Sequence, residues 1–324
     1  MRTDSTDTPE GGGHGAGGHV PVLLKEAIDF LAVKRGGTYL DATVGLGGHS
    51  YEIAKRLGAP GHLIGFDKDA AALEIAAKRL AVRPSSFAIR ESIPEQPAAN
   101  EPPDWPLVTL IHGSFAELAN SEQQTAYDGI LADLGMSSLQ LSDPARGFSF
   151  QAEGPLDMRM NPMSGETAEQ VVNHIDEREL ADVIYEFGEE RRSRRIARAI
   201  VRARPVTTTA ELARVVAAAA RPVKFQRIHP ATLTFQALRI YVNRELDDLK
   251  ALTQDAPQVL ARAGRLVIIS FHSLEDRIVK DAMRDGARQG LYELLTRKPV
   301  IADENEVVEN PRSRSAKLRA AERL

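Results

Sequence analysis

Two short segments carry the residues best suited to chemistry, and each is adjacent to an apolar run. The first is the glycine-containing segment Asp41-Ala-Thr-Val-Gly-Leu-Gly-Gly-His-Ser50, and the second is Leu63-Ile-Gly-Phe-Asp67, which ends in a carboxylate. A strand, a glycine loop, a helix and a second strand in this order are typical of a nucleotide-binding βαβ unit. A carboxylate at the end of the second strand can accept hydrogen bonds from both hydroxyl groups of a ribose. We therefore predict that Asp67 binds a ribose.

The spacing of the glycines distinguishes two classes of nucleotide ligand. A dinucleotide-binding loop reads Gly-x-Gly-x-x-Gly, whereas this loop has adjacent glycines at Gly47 and Gly48 and a serine, Ser50, in the third position. Such a loop makes room for adenosine without cradling a pyrophosphate, and this favours S-adenosylmethionine over NAD. Taken alone, the glycines would more often only shape a tight turn, but Asp67 at the next strand end favours the ligand interpretation.

A second carboxylate ends a later apolar run. Gly129-Ile-Leu-Ala-Asp133 predicts a strand, and a small turn, Leu-Gly-Met-Ser-Ser, follows it. In an open α/β sheet the ligand lies beyond the carboxyl ends of the strands, so Asp133 is predicted to face it. Gln140 is a neutral donor and acceptor that could reach the same ligand. The alternative is that Asp133 only caps the turn.

Length and composition limit the kind of protein. The chain has 324 residues, no cysteine and a formal net charge of −4. This length allows about two domains, and the lack of cysteine excludes disulfides, thiolate nucleophiles and cysteine-ligated metals. No apolar run approaches the ~20 residues of a membrane span and the N-terminus lacks a signal pattern, so we expect a cytoplasmic protein. No metal is expected, and the polar, glycine-rich residues 1–18 predict a disordered tail.

The order of strand and helix patterns predicts a doubly wound α/β domain that carries a helical insert. Strands are predicted at 39–40, 63–67, 107–111, 129–133 and 265–271. Between the last two strands, helical patterns cover 167–174, 176–187, 189–203, 208–220 and 231–252. The predicted domains are a nucleotide-binding domain of residues 19–141 plus 235–324 and an inserted helical domain of residues 142–234. Phe235–Ile240 is expected to lie on a long helix that packs on the sheet, and the proline-rich residues 83–106 predict a loop.

Several longer motifs resemble those of one enzyme family. They are His19-Val-Pro-Val-Leu-Leu, the 41–50 and 133–138 segments, Arg146-Gly-Phe-Ser-Phe, Leu156-Asp-Met-Arg-Met, Phe235-Gln-Ala-Leu-Arg-Ile, Phe271-His-Ser-Leu-Glu-Asp-Arg and Asn310-Pro-Arg-Ser-Arg-Ser-Ala-Lys-Leu-Arg319. From about residue 19 to 324 the chain resembles the bacterial 16S rRNA cytosine-N4 methyltransferases, the RsmH/MraW family. The resemblance implies a class I (Rossmann-like) methyltransferase sheet with an inserted all-helical domain. It also implies S-adenosylmethionine as donor and a cytidine in the decoding region of 16S rRNA, within the small ribosomal subunit, as acceptor.

The resemblance further implies which residues contact the methyl donor: Gly47, Gly48, His49, Asp67, Phe115, Asp133 and Gln140. Taken alone, Phe115 would more often be a core residue. Asp133 is also the candidate catalytic residue, because an acceptor for one amine N–H would localise the lone pair of a cytosine amine. A neighbouring backbone carbonyl is the alternative acceptor. Met136 replaces the commoner valine and the 83–106 segment is longer than usual, but neither touches these residues.

Basic residues are clustered in two segments. In 191–204 they alternate with apolar residues, which on a helix exposes a stripe of guanidinium groups, and we predict phosphate contacts from Arg191, Arg194, Arg198 and Arg202. The alternative is a solvated face paired with Glu186, Glu189 and Glu190. The second segment, with Arg312, Arg314, Lys317 and Arg319, is expected to bind RNA or to fold back on the acidic residues 303–306.

Two rival functions stay open at this point. A methyltransferase of the same fold could act on DNA or protein, and a non-catalytic RNA-binding ribosome-assembly factor could retain the pocket. His272 and Glu275 also have two interpretations, because they could contact the substrate base or only cap the helix that follows them.

Overall fold

The computed structural model describes residues 21–82, 104–116, 126–220 and 229–324. The predicted tail at 1–18 and most of the proline-rich 83–106 segment lie outside these ranges. Within them, no helix is both long and apolar enough to cross a bilayer.

A single mixed sheet organises the first domain. Its strands are β1 Thr38–Asp41, β2 His62–Asp67, β3 Leu107–His112, β4 Tyr127–Asp133, β5 Leu260–Ser270, β6 Tyr292–Leu294 and β7 Lys317–Arg323. In the described residues the sheet has seven strands in the order β3-β2-β1-β4-β5-β7-β6, with β7 antiparallel to both of its neighbours. The order reverses between β1 and β4. In a doubly wound sheet the ligand crevice opens at this switch point, beyond the carboxyl ends of the strands.

Helices cover both faces of the sheet, as the predicted fold class requires. On one face, α1 Leu24–Leu31, α2 Gly48–Leu57 and α3 Ala70–Arg79 pack against the strands. On the other face lie α10 Glu245–Val259 and α11 Ser273–Arg288. The central strands are buried on both sides, which explains why their sequences read as continuous apolar runs. The doubly wound sheet is therefore confirmed.

The C-terminal segment corrects one prediction. Of the residues that we expected to bind RNA or to fold back on residues 303–306, Lys317 and Arg319 lie in β7, which pairs with β5 in the sheet, and Arg312 and Arg314 lie in the short 3₁₀ helix before it. Lys317 and Arg319 both donate hydrogen bonds to the carboxylate of Asp276 on α11, at 3.2 and 2.7 Å. The expected contact of these two residues with residues 303–306 is wrong, because their charges are neutralised by a carboxylate that lies elsewhere.

The helical insert has a core of its own. It contains α5 Ala168–His174, α6 Glu177–Gly188, α7 Ser193–Ala203, α8 Thr209–Ala220 and α9 Thr232–Asn243. The predicted helix at 231–252 is wrong as a single element, because Arg244, with φ 52°, breaks it into α9 and α10. Phe235 and Leu238 pack in the insert core rather than on the sheet. The division of the chain at 142 and 234 stays a prediction, with the insert core reaching as far as Leu238.

Hydrogen bonds from one asparagine join the two ends of the insert. The side-chain amide of Asn243 donates to the carbonyl of Met158 at 2.8 Å and accepts from the N–H of Met160 at 2.7 Å. Lys68, directly after β2, donates to the backbone carbonyl of Asn243 at 2.6 Å. The end of β2 is therefore tied to the place where the chain enters and leaves the insert.

A second connection runs through a buried carboxylate. Asp69 caps the start of α3 and accepts hydrogen bonds from Arg146 at 2.8 Å and from Gln140 at 3.0 Å. Arg146 also donates to the backbone carbonyls of Arg159 and Met160. Because a buried charge is costly unless it is paired, these contacts hold the sheet domain and the insert in a fixed relation.

Candidate active site

A cleft with about 1130 Å³ of empty volume, part of it open to solvent, lies at the carboxyl ends of β1, β2 and β4. The loops that follow these three strands form its walls. Phe115, Phe271, Glu275 and Arg312 reach it from other elements. The cleft therefore occupies the switch point of the sheet, where this fold binds its ligands.

The glycines of the loop differ in what they do at the cleft. Gly45 has φ +53°, and a Cβ there would meet nothing within 4 Å, so this residue leaves open space in the cleft wall. At Gly48 a Cβ would collide with the ring of Pro21, and the missing side chain lets Pro21 pack on the start of α2. Gly47 faces Ala76 on α3, outside the lining. Gly45 was not among the predicted donor contacts, although its place in the loop could have suggested it.

Asp67 is held rigidly at the cleft. Its two carboxylate oxygens accept hydrogen bonds from the backbone N–H groups of Gly45, at 2.7 Å, and Asp69, at 2.8 Å. Burial raises the pKa of Asp67 to about 6, against these two hydrogen bonds, which lower it. A carboxylate has about four lone-pair positions, so it retains capacity for two further donors from a ligand.

Asp133 ends β4, and one of its two carboxylate oxygens makes no hydrogen bond within the described residues. Its Oδ1 is buried and has no hydrogen-bond partner among the described residues. Burial raises the pKa of Asp133 to about 7, with Arg312 opposing this rise and Asp41 and Glu275 adding to it. Buried polar atoms in proteins are almost always hydrogen-bonded, so Oδ1 calls for a donor or a cation from a bound ligand.

His49 links the glycine loop to Asp133. Its Nε2 lies 3.1 Å from the carbonyl oxygen of Val22, and since a carbonyl only accepts, this nitrogen carries the hydrogen. The other ring nitrogen, Nδ1, lies 3.7 Å from Oδ2 of Asp133. The imidazole is buried and lines the cleft next to Asp133, on the side of α2.

The two remaining predicted donor contacts also line the cleft. Phe115 is buried, belongs to the same apolar cluster as Phe66 and lines the cleft. Gln140 accepts from the N–H of Ser137 at 3.0 Å and donates to Asp69 at 3.0 Å, which fastens the turn after β4 to α3. Of the seven residues that the family resemblance implies, only Gly47 lies away from the wall. Their contacts with a donor stay a prediction.

His272 and Glu275 form a capping box at the start of α11. The Glu275 carboxylate accepts from the N–H of Phe271 at 2.7 Å and from that of His272 at 3.3 Å. The capping interpretation therefore describes both residues, although Glu275 also faces the cleft. Among the described residues, no cluster of His, Asp and Glu side chains is arranged to hold a metal ion.

The arginines of the 191–204 segment divide into two groups. Arg192 pairs with the buried Glu190, and Arg204 donates to the carbonyls of Val172 and Ile175, so these two stabilise the insert. The exposed arginines on this stretch are Arg191, Arg194, Arg195, Arg198 and Arg202. Within the described part of the chain only Arg198 of this group has a carboxylate partner, Glu177 at 3.1 Å. The four arginines that were predicted to contact phosphate, Arg191, Arg194, Arg198 and Arg202, are therefore all exposed, and their contact with RNA stays a prediction.

The sheet order and the cleft at its switch point are those of a class I, Rossmann-like methyltransferase, an enzyme that uses S-adenosylmethionine as methyl donor. Over residues 16–324 the sequence matches the MraW methylase family, and the chain belongs to this family. It is 67% identical over 307 residues to the ribosomal RNA small subunit methyltransferase H of Koribacter versatilis (strain Ellin345), covering 94% of each chain. The protein of that name from Acidobacterium capsulatum is 60% identical over 305 residues, covering 94% of this chain and 98% of the relative. The predicted family, fold class and cofactor are thus confirmed.

Proposed function

We propose that this enzyme transfers a methyl group to the N4 amine of a cytidine in the decoding region of 16S rRNA, within the small ribosomal subunit and in the cytoplasm. Membership of the MraW methylase family and the names of the relatives support an rRNA substrate. The single observation that carries the chemistry is the buried Oδ1 of Asp133, which lines the cleft and has no hydrogen-bond partner among the residues that the structure describes.

The residues of the cleft fit the donor. The carboxylate of Asp67 would hold the ribose hydroxyls and the ring of Phe115 would cover the adenine, while the open space at Gly45 admits the ligand next to the backbone. When bound, S-adenosylmethionine supplies a methyl group attached to a positively charged sulfur. Asp133, as a carboxylate, complements that charge, and this satisfies the oxygen that has no partner within the described chain.

Asp133 is also suited to assist the acceptor amine. The N4 amine of cytosine is a poor nucleophile because its lone pair is delocalised into the ring. A carboxylate that accepts one N–H hydrogen localises the lone pair and stabilises the positive charge that develops on nitrogen. One amine hydrogen is replaced by the methyl group and leaves as a proton, which a group with a pKa of about 7 can take up and release near neutral pH. The competing acceptor is a backbone carbonyl of the turn 134–136.

The proposal is tested by following N4-methylcytidine. Mass spectrometry of 16S rRNA nucleosides is expected to show loss of this nucleoside in cells that lack the protein and its return when the gene is restored. In vitro, the pure protein should methylate small ribosomal subunits and neither naked DNA nor protein. Donor binding without transfer to any rRNA would favour a non-catalytic ribosome-assembly factor. Transfer only to DNA or only to protein would favour a methyltransferase of the same fold with that substrate.

We propose further that the insert, residues 142–234, docks the RNA through the exposed arginines of the 191–202 stretch. Phosphate contacts release counterions, so each lost contact flattens the dependence of affinity on salt. Replacing Arg191, Arg194 and Arg198 with glutamine is expected to weaken binding to small subunits at least roughly tenfold. The slope of log K against log salt should fall by about 1 for each lost contact.

A matched control removes as many charges elsewhere. Arg262, Arg284 and Arg288 are exposed residues of the sheet domain, and their replacement with glutamine should change the affinity and the salt slope much less. Donor affinity, measured by calorimetry, should be the same in both triple variants and the wild type. If the 191/194/198 variant keeps the wild-type salt slope, the stripe is a solvated face and does not contact RNA.

A further inference from the structure

Arg312 reaches the cleft from the C-terminal part of the chain. It lies in a short 3₁₀ helix, Pro311–Ser315, directly before β7. Because β7 runs antiparallel to β5, with Lys317 opposite Ser270, this helix sits at the carboxyl end of β5 and hence beside the cleft. Arg312 belongs to the motif of residues 310–319.

The guanidinium group of Arg312 holds the turn that follows Asp133. Nη1 donates to the hydroxyl oxygen of Ser138 at 2.9 Å, and Nη2 donates to the backbone carbonyl of Met136. On its other side, the turn packs on the ring of Phe271, which a Cβ at Gly135 would approach to 2.9 Å. Arg312 and Phe271 together therefore fix the segment that lines the cleft immediately after the catalytic carboxylate.

Arg312 also supplies a positive charge among several carboxylates. The groups that face Asp133 are Asp41 on β1, His49 on α2, Glu275 on α11 and Arg312. Asp41 and Glu275 raise the pKa of Asp133, whereas Arg312 lowers it. Burial lowers the pKa of Arg312 itself and Asp133 opposes this change, so each of the two groups favours the charged form of the other.

We propose that Arg312 is a positioning residue for methyl transfer, with two separable roles. Its planar fork fixes the turn that lines the cleft after Asp133, and its charge favours the ionised form of Asp133, which receives the cationic donor and the amine hydrogen. This inference rests on the proposed methyl transfer. Arg312→Lys retains the positive charge but replaces the planar set of guanidinium donors with a single ammonium group. This substitution can therefore separate the two roles.

The experiment compares Arg312→Gln, Arg312→Lys and the control Arg284→Gln. Arg284 is an exposed arginine of α11, the helix that also carries Glu275. The readout is kcat/KM for the donor as a function of pH on small subunits, because this parameter reports the pKa of groups in the free enzyme. Arg312→Gln should lower kcat/KM roughly 10- to 100-fold at pH 7.5 and move the acid limb of the profile upward by roughly half a unit to one unit.

The other variants separate the effect of the charge of Arg312 from that of its hydrogen-bonding fork. Arg312→Lys should restore the acid limb to its wild-type position while recovering only part of the rate, and Arg284→Gln should match the wild type. Ser138→Ala removes one acceptor of the fork and should lower kcat without moving the limb. This variant also serves as the test of the fork if Arg312→Gln does not fold, as judged by its melting temperature.

Two results would overturn the inference. The charge role fails if the acid limb of Arg312→Gln coincides with that of the wild type, whatever the loss of rate. The positioning role fails if Arg312→Lys and Ser138→Ala both have the wild-type kcat. A wild-type enzyme that methylates no rRNA would instead contradict the proposed function, which distinguishes the two failures.

Discussion

Replacing Asp133 with alanine is expected to lower the single-turnover rate of methyl transfer by about 10²–10⁴-fold, even when donor and RNA are saturating. The reason is that Asp133 ends the strand at the floor of the cleft and presents a buried oxygen with no partner in the described chain. An interaction made only in the transition state changes the rate at saturation, whereas one that only binds the ligand does not. Rapid-quench measurement on small subunits gives this rate directly.

A carboxylate at the opposite end of the same strand is the matched control. Asp128 accepts a hydrogen bond from the N–H of Thr38 at 2.9 Å, far from the carboxyl end of β4. Asp128→Ala should lower the melting temperature and leave the single-turnover rate within about twofold, since it removes a backbone contact of about 1 kcal/mol and no site group. If saturation restores the wild-type rate to Asp133→Ala, then Asp133 only binds, and the backbone carbonyl of the following turn becomes the preferred acceptor.

Replacing Asp67 with alanine is expected to weaken donor binding by on the order of 2–4 kcal/mol, the loss of two charge-assisted hydrogen bonds. This corresponds to a roughly 30- to 1000-fold higher Kd, measured by calorimetry. The substitution also removes the acceptor of two backbone N–H groups, those of Gly45 and Asp69. We therefore expect the free energy of unfolding to fall by about 1–3 kcal/mol as well.

The loss of stability and the loss of affinity can be told apart. Asp128→Ala also deprives a backbone N–H of its carboxylate, so it should lose stability without losing affinity for the donor. Donor titrations are carried out well below the melting temperature of each variant, so that every sample is folded. Wild-type affinity in Asp67→Ala would mean that the ribose is held elsewhere in the cleft.

The features that could be predicted from the sequence depend on local rules. Parallel strands buried on both faces read as apolar runs, and the residue that ends such a run lies at the ligand crevice by topology. Asp67 and Asp133 were found in this way. The insert helices were found from their apolar spacing, which the separate core of the insert explains.

The features that could not be predicted depend on partners far away in the sequence. The segment of β7 carries so many charged residues that it resembles a surface tail, yet Arg319 is buried because Asp276 neutralises it. The break at Arg244 has neither glycine nor proline to signal it, and an ion pair of 2.8 Å between Arg239 and Glu245 spans it. Neither side-chain pairing can be read from the spacing of apolar residues along the chain.

The surroundings of an individual arginine also could not be predicted from the sequence. Arg312 lies in the cleft, Arg192 in the insert and Arg194 in solvent, although all three occur in dense basic segments. Composition predicts that such segments bind phosphate. Only the folded structure shows which guanidinium groups already contact other groups of the protein and which are exposed to solvent.

The connection made by Asn243 has a consequence for the order in which the chain folds. β4 and β5 are neighbours in the sheet, but residues 134–259 lie between them, and closing so long a loop costs conformational entropy. The insert has its own core, and Asn243 joins its two ends through Met158 and Met160, so its folding shortens the loop before the strands meet. We expect pulse-labelled hydrogen exchange to show protection of α6 and α9 before that of β5. An enzyme built in this way pairs β4 with β5 beside its cleft only after the insert, which we propose docks the RNA, has folded.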